Sequence, residues 1–216
     1  MKISSKKISS KKSSAAWLRR QLSDPYVERA KREGWRSRAV YKLSEINDKL
    51  HILHNGQTVV DLGSAPGSWS QYIKKTFPDS HVMAIDLLPM KPIDGVKFFQ
   101  GDFTTDETLE WLNEKTYGRD IDIVLSDMAP NTTGHQKTDH IRQIALIEYA
   151  FDFAKNNLKR GGAFVAKSFV GGTTDKLLHE IKRHFREVRH IKPKSSRKES
   201  VEMFIIAIDF LGKQLL

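Results

Sequence analysis

The chain carries at residues Val59–Trp69 the run Val-Val-Asp-Leu-Gly-Ser-Ala-Pro-Gly-Ser-Trp, and this run decides the fold. Together with Thr58, its start is a short β-branched segment of the kind that forms a buried parallel strand. Glycines then follow at Gly63 and Gly67. A strand that breaks into a glycine-containing turn and opens a helix brings main-chain N–H groups close to a ligand. The run therefore predicts a strand, a ligand-binding turn and a helix over Trp69–Phe77.

The spacing of the glycines narrows the choice of ligand. The run reads Asp-x-Gly-x-x-x-Gly, which is neither the dinucleotide fingerprint Gly-x-Gly-x-x-Gly nor a phosphate loop ending in Gly-Lys-Ser or Gly-Lys-Thr. Asp61, at the end of the strand, would repel a pyrophosphate, so a ligand with a cationic or neutral centre is favoured. The sulfonium amino acid of S-adenosylmethionine is such a ligand. Taken alone, the same residues also fit an ordinary strand–turn–helix whose glycines serve only the turn.

Composition limits the classes of protein further. A chain of 216 residues suits one α/β domain with a short appendage and can bury a sizeable core. No cysteine is present, which excludes disulfides, cysteine-rich metal sites and a cysteine nucleophile, and we expect no metal. No apolar run is long enough to span a membrane, and the basic N-terminus lacks the apolar segment of a secretory signal. We therefore expect a cytoplasmic protein without a membrane partner.

The net charge of +10 is placed unevenly along the chain. Residues 1–42 contain thirteen Lys and Arg against three Asp and Glu, and Lys182–Ser200 holds eight basic and two acidic residues. Two basic segments around a mildly acidic middle are typical of a protein that binds nucleic acid, although a tail that only increases solubility would show a similar excess of basic residues. Residues 1–22 are rich in Lys and Ser and are predicted to be a disordered extension, so that residues 23–216 form the folded domain.

After this extension, strands and helices alternate, as in a doubly wound α/β sheet. Besides the strand that begins at Thr58, strands are predicted at His81–Asp86, Val96–Phe99, Ile121–Asp127, Ala163–Phe169, Val188–Ile191 and Ser200–Phe210. Helices are predicted from Arg36 to about Leu50 and over Trp69–Phe77, Thr108–Thr116, Asp139–Leu158 and Thr173–His184, with a marginal helix within Ala15–Lys31. Gly161 and Gly162 are expected to stop the long helix before the fifth strand.

Aspartates follow the ends of several predicted strands, where a parallel sheet forms its ligand crevice. Asp86 ends the second strand, close to the offset past Gly67 at which an acidic residue binds a ribose diol. Asp102 follows the third strand and could reach the exocyclic amine of adenine, and Asp127 ends the fourth. Taken singly, each aspartate fits a cap or a turn better than a ligand contact, but their recurrence at successive strand ends favours a nucleoside ligand.

A lysine within a predicted buried strand is the most diagnostic single residue. Lys167 lies in Ala163–Phe169, where an unpaired ammonium group would be costly. Glu202 poses the same question in the last strand, between Val201 and Met203. Two opposite charges on neighbouring buried strands predict an ion pair. A snorkelling or salt-bridged lysine with a purely structural role is the alternative.

Seven sequence features carry a family resemblance when they are taken together. They are Arg36-Ser-Arg-Ala-Val-Tyr-Lys42, Asp61-Leu-Gly-Ser-Ala-Pro-Gly-Ser-Trp-Ser70, Asp86-Leu-Leu-Pro-Met90, Gln100-Gly-Asp-Phe103, Ser126-Asp-Met-Ala-Pro-Asn131, Lys167 and Ser195-Ser-Arg-Lys-Glu-Ser-Val-Glu202. From about Ser23 to its C-terminus, the chain resembles the FtsJ/RrmJ family, the RlmE-type S-adenosylmethionine-dependent methyltransferases that act on the ribose 2′-hydroxyl of 23S ribosomal RNA. The family fold is Rossmann-like, with a seven-stranded, mostly parallel sheet and helices on both faces.

The resemblance also implies the residues of the site. It implies a catalytic tetrad at Lys42, Asp127, Lys167 and Glu202. It implies contacts with S-adenosyl-L-methionine at Gly67, Trp69, Asp86, Asp102 and Asp127. The implied substrate is a uridine of 23S ribosomal RNA within the large ribosomal subunit, and we expect a monomer. The family usually has Gly-Gly before the tryptophan, whereas this chain has Gly-Ser, which matters only if that backbone needs a positive φ.

The sequence leaves the chemical role of Lys167 open. Burial and Lys42 would lower the pKa of Lys167 and make it a base, whereas Asp127 and Glu202 would raise that pKa and keep it a cation that positions the hydroxyl. The absence of cysteine excludes C5-pyrimidine and radical methyltransferases, and no glycine fingerprint supports a nicotinamide dehydrogenase. A non-enzymatic ribosome-assembly factor that keeps the fold and binds RNA with its basic segments remains the alternative.

Overall fold

The computed structural model describes residues 23–130, 133–171 and 174–212, and the predicted extension 1–22 lies outside them. Seven strands form one sheet in the order β3-β2-β1-β4-β5-β7-β6. They are β1 (Thr58–Leu62), β2 (His81–Asp86), β3 (Val96–Gln100), β4 (Ile121–Ser126), β5 (Leu158–Phe169), β6 (Phe185–Ile191) and β7 (Glu202–Phe210). Strands β1 to β5 pair in parallel, and β7 runs antiparallel to both β5 and β6. The predicted α/β fold with a mostly parallel seven-stranded sheet is confirmed.

Helices follow the strands as the sequence predicts, with shifted ends. The helices of the described residues are α1 (Pro25–Arg32), α2 (Val40–Leu50), α3 (Ser68–Thr76), α4 (Asp106–Thr116), α5 (Gln136–Asn157) and α6 (Asp175–His184). Helix α1 begins at Pro25 because the carboxylate of Asp24 accepts the N–H of Tyr26 as an N-cap. The part of the predicted helix within Ala15–Lys31 that precedes residue 23 lies outside the described residues.

The predicted boundary between the long helix and the fifth strand is wrong. The sequence places Gly161 and Gly162 between the long helix and the fifth strand, but α5 ends at Asn157 and β5 begins at once at Leu158. The two glycines lie inside the strand, where the pairing with β4 shifts register and Gly161 adopts a φ of +81°. Glycine in a strand marks such an irregularity as readily as it marks a helix end.

Two apolar clusters cover the two faces of the sheet. One face packs against α4, α5 and α6, and its core includes Leu112, Phe151 and Ile181. The opposite face packs against α1, α2 and α3 through residues such as Ala30 and Leu43. Alternate residues of the central strands point to opposite faces, which is why these strands are buried on both sides. The prediction of helices on both faces is confirmed.

The antiparallel direction of β7 brings a distant part of the chain to the carboxyl ends of the parallel strands, which form the ligand edge of the sheet. Parallel strands β1, β2, β4 and β5 all end at this edge, whereas β7 begins there. Glu202, the first residue of β7, pairs with Phe169 at the end of β5, and Phe204 pairs with Lys167. Residues near the end of the chain therefore meet the strand ends of the first half of the sheet.

A buried carboxylate fastens the first helices to the loop between β6 and β7, residues 192–201. Asp24 pairs with the guanidinium groups of Arg38 and Arg197, and Arg38 also donates to the main-chain oxygen of Ser195. Two of these contacts, Arg197 with Asp24 and Arg38 with Ser195, join residues more than 150 positions apart in sequence. They hold the start of α2 and the start of β7 against each other beside the ligand edge.

In the described part of the chain, no helix has the length and apolar character needed to cross a bilayer.

Candidate active site

Four charged side chains alternate in sign at the ligand edge of the sheet. Lys42 comes from the first turn of α2, Asp127 follows β4, Lys167 lies on β5 and Glu202 begins β7. Lys42 Nζ lies 2.7 Å from a Glu202 oxygen, and Lys167 Nζ lies 2.8 Å from an Asp127 oxygen. The two remaining pairs, Lys42 with Asp127 and Lys167 with Glu202, are each 3.7 Å apart. The structure thus brings together all four residues of the expected tetrad.

The two carboxylates determine the charge of the buried lysine. Burial alone lowers the pKa of Lys167, but the charges of Asp127 and Glu202 outweigh it and hold this pKa above its ordinary value. Burial raises the pKa of Asp127, but Lys167 and Lys42 outweigh it and bring this pKa below its ordinary value. This direction of the pKa favours the cationic form of Lys167 at neutral pH.

Two neutral side chains support the tetrad, and neither was predicted as a site residue. Gln143, buried on α5, donates to the main-chain oxygen of Lys167 at 2.8 Å and to that of Met128 at 3.3 Å. It therefore bridges the ends of the strands that carry Asp127 and Lys167. The hydroxyl of Ser196 donates to Glu202 at 2.8 Å. A polar residue among apolar neighbours in the long helix was the only sequence signal for Gln143.

The glycine turn after β1 is closely packed against two other segments of the ligand edge. Gly63 adopts a φ of +70°, and a Cβ there would lie 2.3 Å from the Cγ of Met128, the residue after Asp127. Gly67 adopts a φ of +97°, and a Cβ there would lie 2.6 Å from the sulfur of Met90. Both positions thus need glycine for the backbone conformation and for space. The turn is fitted to its neighbours, which an ordinary surface turn would not require.

The Gly-Ser departure from the family pattern is harmless to the backbone. Ser68 is the first residue of α3, so its φ is helical, and its hydroxyl lies 2.6 Å from that of Ser37. The next residue, Trp69, is one of the expected cofactor contacts. The indole of Trp69 is buried, donates to the main-chain oxygen of Ala39 at 2.9 Å and packs against Phe204. A ligand contact by Trp69 is left to its main-chain N–H in the first turn of α3.

The aspartates expected to contact a nucleoside both shape loops at the ligand edge. Asp86 accepts the N–H groups of Ala65 and Leu88 at 2.8 and 2.7 Å, and so ties the end of β2 to the glycine turn. Asp102 is exposed and accepts the N–H and hydroxyl of Thr104. Asp86 lies beside the turn after β1, whereas Asp102 follows β3, and β2 and β3 lie on the side of β1 away from β5 and β7. No cluster suited to a metal occurs among the described His, Asp and Glu residues.

A buried acid that the site prediction did not include lies beneath the turn. Asp61 is 1% exposed and accepts the hydroxyl of Ser70 at 2.7 Å. Burial, with smaller contributions from the charges of Asp127 and Asp86, raises the pKa of Asp61 to about 7 against the hydrogen bond from Ser70. Asp61 is therefore a weak acid near neutral pH, and it lies within the electrostatic reach of the tetrad. Its place directly before the glycine turn was the sequence signal for it.

Replacing Asp61 with asparagine should remove a pH-dependent loss of stability. A folded-state pKa of about 7 lies above the unfolded value near 4, so this group favours folding below pH 4 and loses that contribution as the pH rises to 7. We expect the free energy of unfolding of the Asp61→Asn variant to rise relative to that of the wild type across this range, by on the order of 4 kcal/mol at most. Denaturant unfolding of both proteins at pH 5 and pH 8 measures the difference, and a gap that is the same at both pH values would contradict the assignment.

Comparisons with known proteins agree with this geometry. The family model described as FtsJ-like methyltransferase matches residues 35–210. The Ribosomal RNA large subunit methyltransferase E of Novosphingobium aromaticivorans is 53% identical over 201 residues, which cover 93% of this chain and 90% of the relative. The protein of the same name from Agrobacterium fabrum is 53% identical over 213 residues, or 97% of this chain and 86% of the relative.

Solved structures add to this agreement. The crystal structure of a ribosomal RNA methyltransferase from Plasmodium falciparum superposes with a TM-score of 0.75 at 32% identity, covering 83% of this chain and all of that one. A fibrillarin/Nop5p complex, with a TM-score of 0.56 at 18% identity and coverage of 81% and 85%, shares the fold alone. With the family model matching most of its length and the relatives sharing half of its residues, this chain belongs to the FtsJ-like methyltransferase family.

Proposed function

We propose that this protein transfers a methyl group from S-adenosyl-L-methionine to the ribose 2′-hydroxyl of a uridine in 23S ribosomal RNA. The observation that carries the proposal is the position of the charged tetrad, on the same sheet edge as the tightly packed glycine turn. The relatives that share half of its residues are named as methyltransferases of large-subunit ribosomal RNA, which supports the RNA substrate. Such a substrate also supports a cytoplasmic enzyme, and we propose that it acts as a monomer.

The residues present suit S-adenosyl-L-methionine. Gly67 supplies the positive φ on which the turn depends, and Asp86 and Asp102 offer carboxylate oxygens to a ribose and an adenine. Asp127 puts negative charge in the crevice, and Asp61, with a pKa of about 7, adds to it as it ionises, which suits the ammonium and sulfonium groups of this ligand. Trp69 would contribute its main-chain N–H. When bound, the group supplies an electrophilic methyl on sulfur.

The protein's main contribution is to align the ribose hydroxyl, and alignment of two reactants can be worth about 7–11 kcal/mol. Lys167, held as a cation by Asp127 and Glu202, donates an N–H to the ribose oxygen and fixes one of its lone pairs. Because Lys167 keeps its proton, it positions the hydroxyl and does not act as the base. As the oxygen gains its methyl, its hydroxyl proton becomes more acidic and moves toward the carboxylates of the tetrad.

Two measurements test the proposal. Calorimetry should detect binding of S-adenosyl-L-methionine to the purified protein, and labelled methyl should transfer to large subunits from a strain that lacks the corresponding enzyme. Mapping the methylated nucleotide would then identify the uridine and the 2′-oxygen. A protein that binds RNA but not the cofactor would instead point to the assembly factor.

RNA binding should depend strongly on salt, because lysines and arginines that neutralise phosphates release counterions. The segment Met1–Ser14 holds five lysines, so deleting it should lower the slope of log affinity against log salt by up to about 4. A full-length variant with these five lysines changed to glutamine separates the effect of charge from that of length. Filter binding over a range of salt concentrations gives the slopes, and a slope equal to that of the wild type would show that the segment does not contact RNA.

A further inference from the structure

The loop between β6 and β7 anchors Glu202 at two points. The hydroxyl of Ser196 donates to Oε1 of the Glu202 carboxylate at 2.8 Å. The hydroxyl of Ser200 accepts the main-chain N–H of Glu202 at 3.1 Å. The other carboxylate oxygen, Oε2, is the one that lies 2.7 Å from Lys42 and 3.7 Å from Lys167. The two oxygens of Glu202 thus have separate partners, one neutral and one cationic.

This loop is itself held rigidly at the position of Ser196. The carboxylate of Glu45, on α2, accepts the N–H groups of Lys194 and Ser195. Arg38 donates to the main-chain oxygen of Ser195 from the other side. Ser196 is 7% exposed, so its hydroxyl is shielded from water and keeps a fixed direction. A hydroxyl fixed in this way can define the rotation of the carboxylate to which it donates.

We propose that Ser196 is a positioning residue for methyl transfer, a role that rests on the proposed function. Its hydrogen bond fixes the plane of the Glu202 carboxylate, so that Oε2 faces both lysines of the tetrad. Without that bond the carboxylate can turn about its terminal torsion, which has a broad energy minimum. The cation of Lys167 would then be held from one side only, by Asp127, and the ribose oxygen would lose its fixed partner.

The neighbouring serine provides a matched control for this role. Ser195 is 0% exposed, and its hydroxyl has no hydrogen-bond partner among the described residues. The change Ser195→Ala removes the same atom from the same loop at similar burial, but it breaks no contact with the tetrad. Any general effect of a lost hydroxyl on the loop should therefore appear in both variants, and an effect through Glu202 only in Ser196→Ala.

Single-turnover methyl transfer to undermethylated large subunits tests the proposal. We expect Ser196→Ala to lower the rate constant about ten- to a hundredfold, the range of one hydrogen bond to a charged group, with the dissociation constant of S-adenosyl-L-methionine within about twofold of the wild type. Ser196→Thr should restore most of the rate, and Ser195→Ala should keep it. A rate for Ser196→Ala equal to that of Ser195→Ala would overturn the proposal.

Two further measurements distinguish a positioning role for Ser196 from a purely structural one. In a Glu202→Gln background, Ser196→Ala should have much less effect than in the wild type, and an equal loss in both backgrounds would show that Ser196 acts independently of Glu202. The crystal structure of Ser196→Ala should show the Glu202 carboxylate rotated or in several conformers, and an unchanged single conformer would overturn the proposal. If the wild type itself transfers no methyl, the proposed function fails, and the crystal structure of the variant still decides the role of Ser196.

Discussion

Replacing Lys167 with alanine is expected to lower methyl transfer to RNA about a hundred- to ten-thousandfold, the range for losing one group that positions or stabilises the reacting atoms. The ammonium group lies between the carboxylates of Asp127 and Glu202, and in the proposed mechanism it is the donor to the ribose oxygen. The proposed cofactor-binding turn is built from other residues, so the affinity for S-adenosyl-L-methionine should change only slightly. Labelled methyl transfer and calorimetry on the same preparations measure the two quantities.

Stability has to be separated from catalysis in this experiment. Removing one partner of a buried ion pair can cost about 3–5 kcal/mol, and Lys42 remains to compensate part of it. A control on the same strand is Lys159→Ala. This lysine is more exposed than Lys167, and its partner, Asp122, lies at the opposite end of the sheet. Lys167→Arg keeps the charge and should still lose most of the rate, because a planar guanidinium cannot occupy the position of an ammonium group. Turnover near that of the wild type in Lys167→Ala would refute the assignment.

The Gly63→Ala variant is expected to bind S-adenosyl-L-methionine at least about tenfold more weakly, a loss of about 1.4 kcal/mol or more. The added methyl would lie 2.3 Å from the Cγ and 3.4 Å from the Cα of Met128, so Met128, which directly follows Asp127, must move away from the turn. The same movement displaces Asp127, and methyl transfer should fall by a larger factor than binding does.

Gly118 provides the control for backbone strain in this variant. Its φ is +73°, against +70° for Gly63, but no atom lies within 4 Å of the position of its Cβ. Both alanine variants should therefore lose similar stability from the left-handed backbone, about 1 kcal/mol, and only Gly63→Ala should lose affinity for the cofactor. Equal affinity in the two variants would mean that the turn is not the binding site.

Much of the fold could be predicted from the sequence because its strands are short β-branched runs with polar ends. The strand His81–Asp86 has the predicted bounds, and its aspartate lies at the ligand edge. The order of the strands in the sheet could not be predicted, because the alternation of strands and helices along the chain does not reveal that β7 lies between β5 and β6. The early start of β5 at Leu158 was missed because glycine serves helix ends and strand irregularities alike.

The site was predictable to the extent that its residues lie in recognisable motifs. Lys167 and Glu202 stood out as charges within apolar strands, and the structure places them 3.7 Å apart. The direction of the Lys167 pKa was not predictable, because it depends on distances of a few ångströms to two carboxylates. Gln143 was missed because one polar residue in a long helix has many uses. A cofactor contact was expected at Trp69, and the structure leaves only its main-chain N–H for such a contact, because helix α3 turns the indole toward the core, which periodicity alone did not reveal.

The place of β7 between two strands made before it has a consequence for synthesis on the ribosome. The N-terminal part of the sheet, from β1 to β5, can pair as it emerges, but β6 can join only when the last strand has been made. Glu202 belongs to that strand, so a nascent chain that already holds the other three residues of the tetrad still lacks its fourth charge. A chain that has not yet formed β7 therefore holds only three of the four charges of the proposed site, and we expect it to lack methyl transfer.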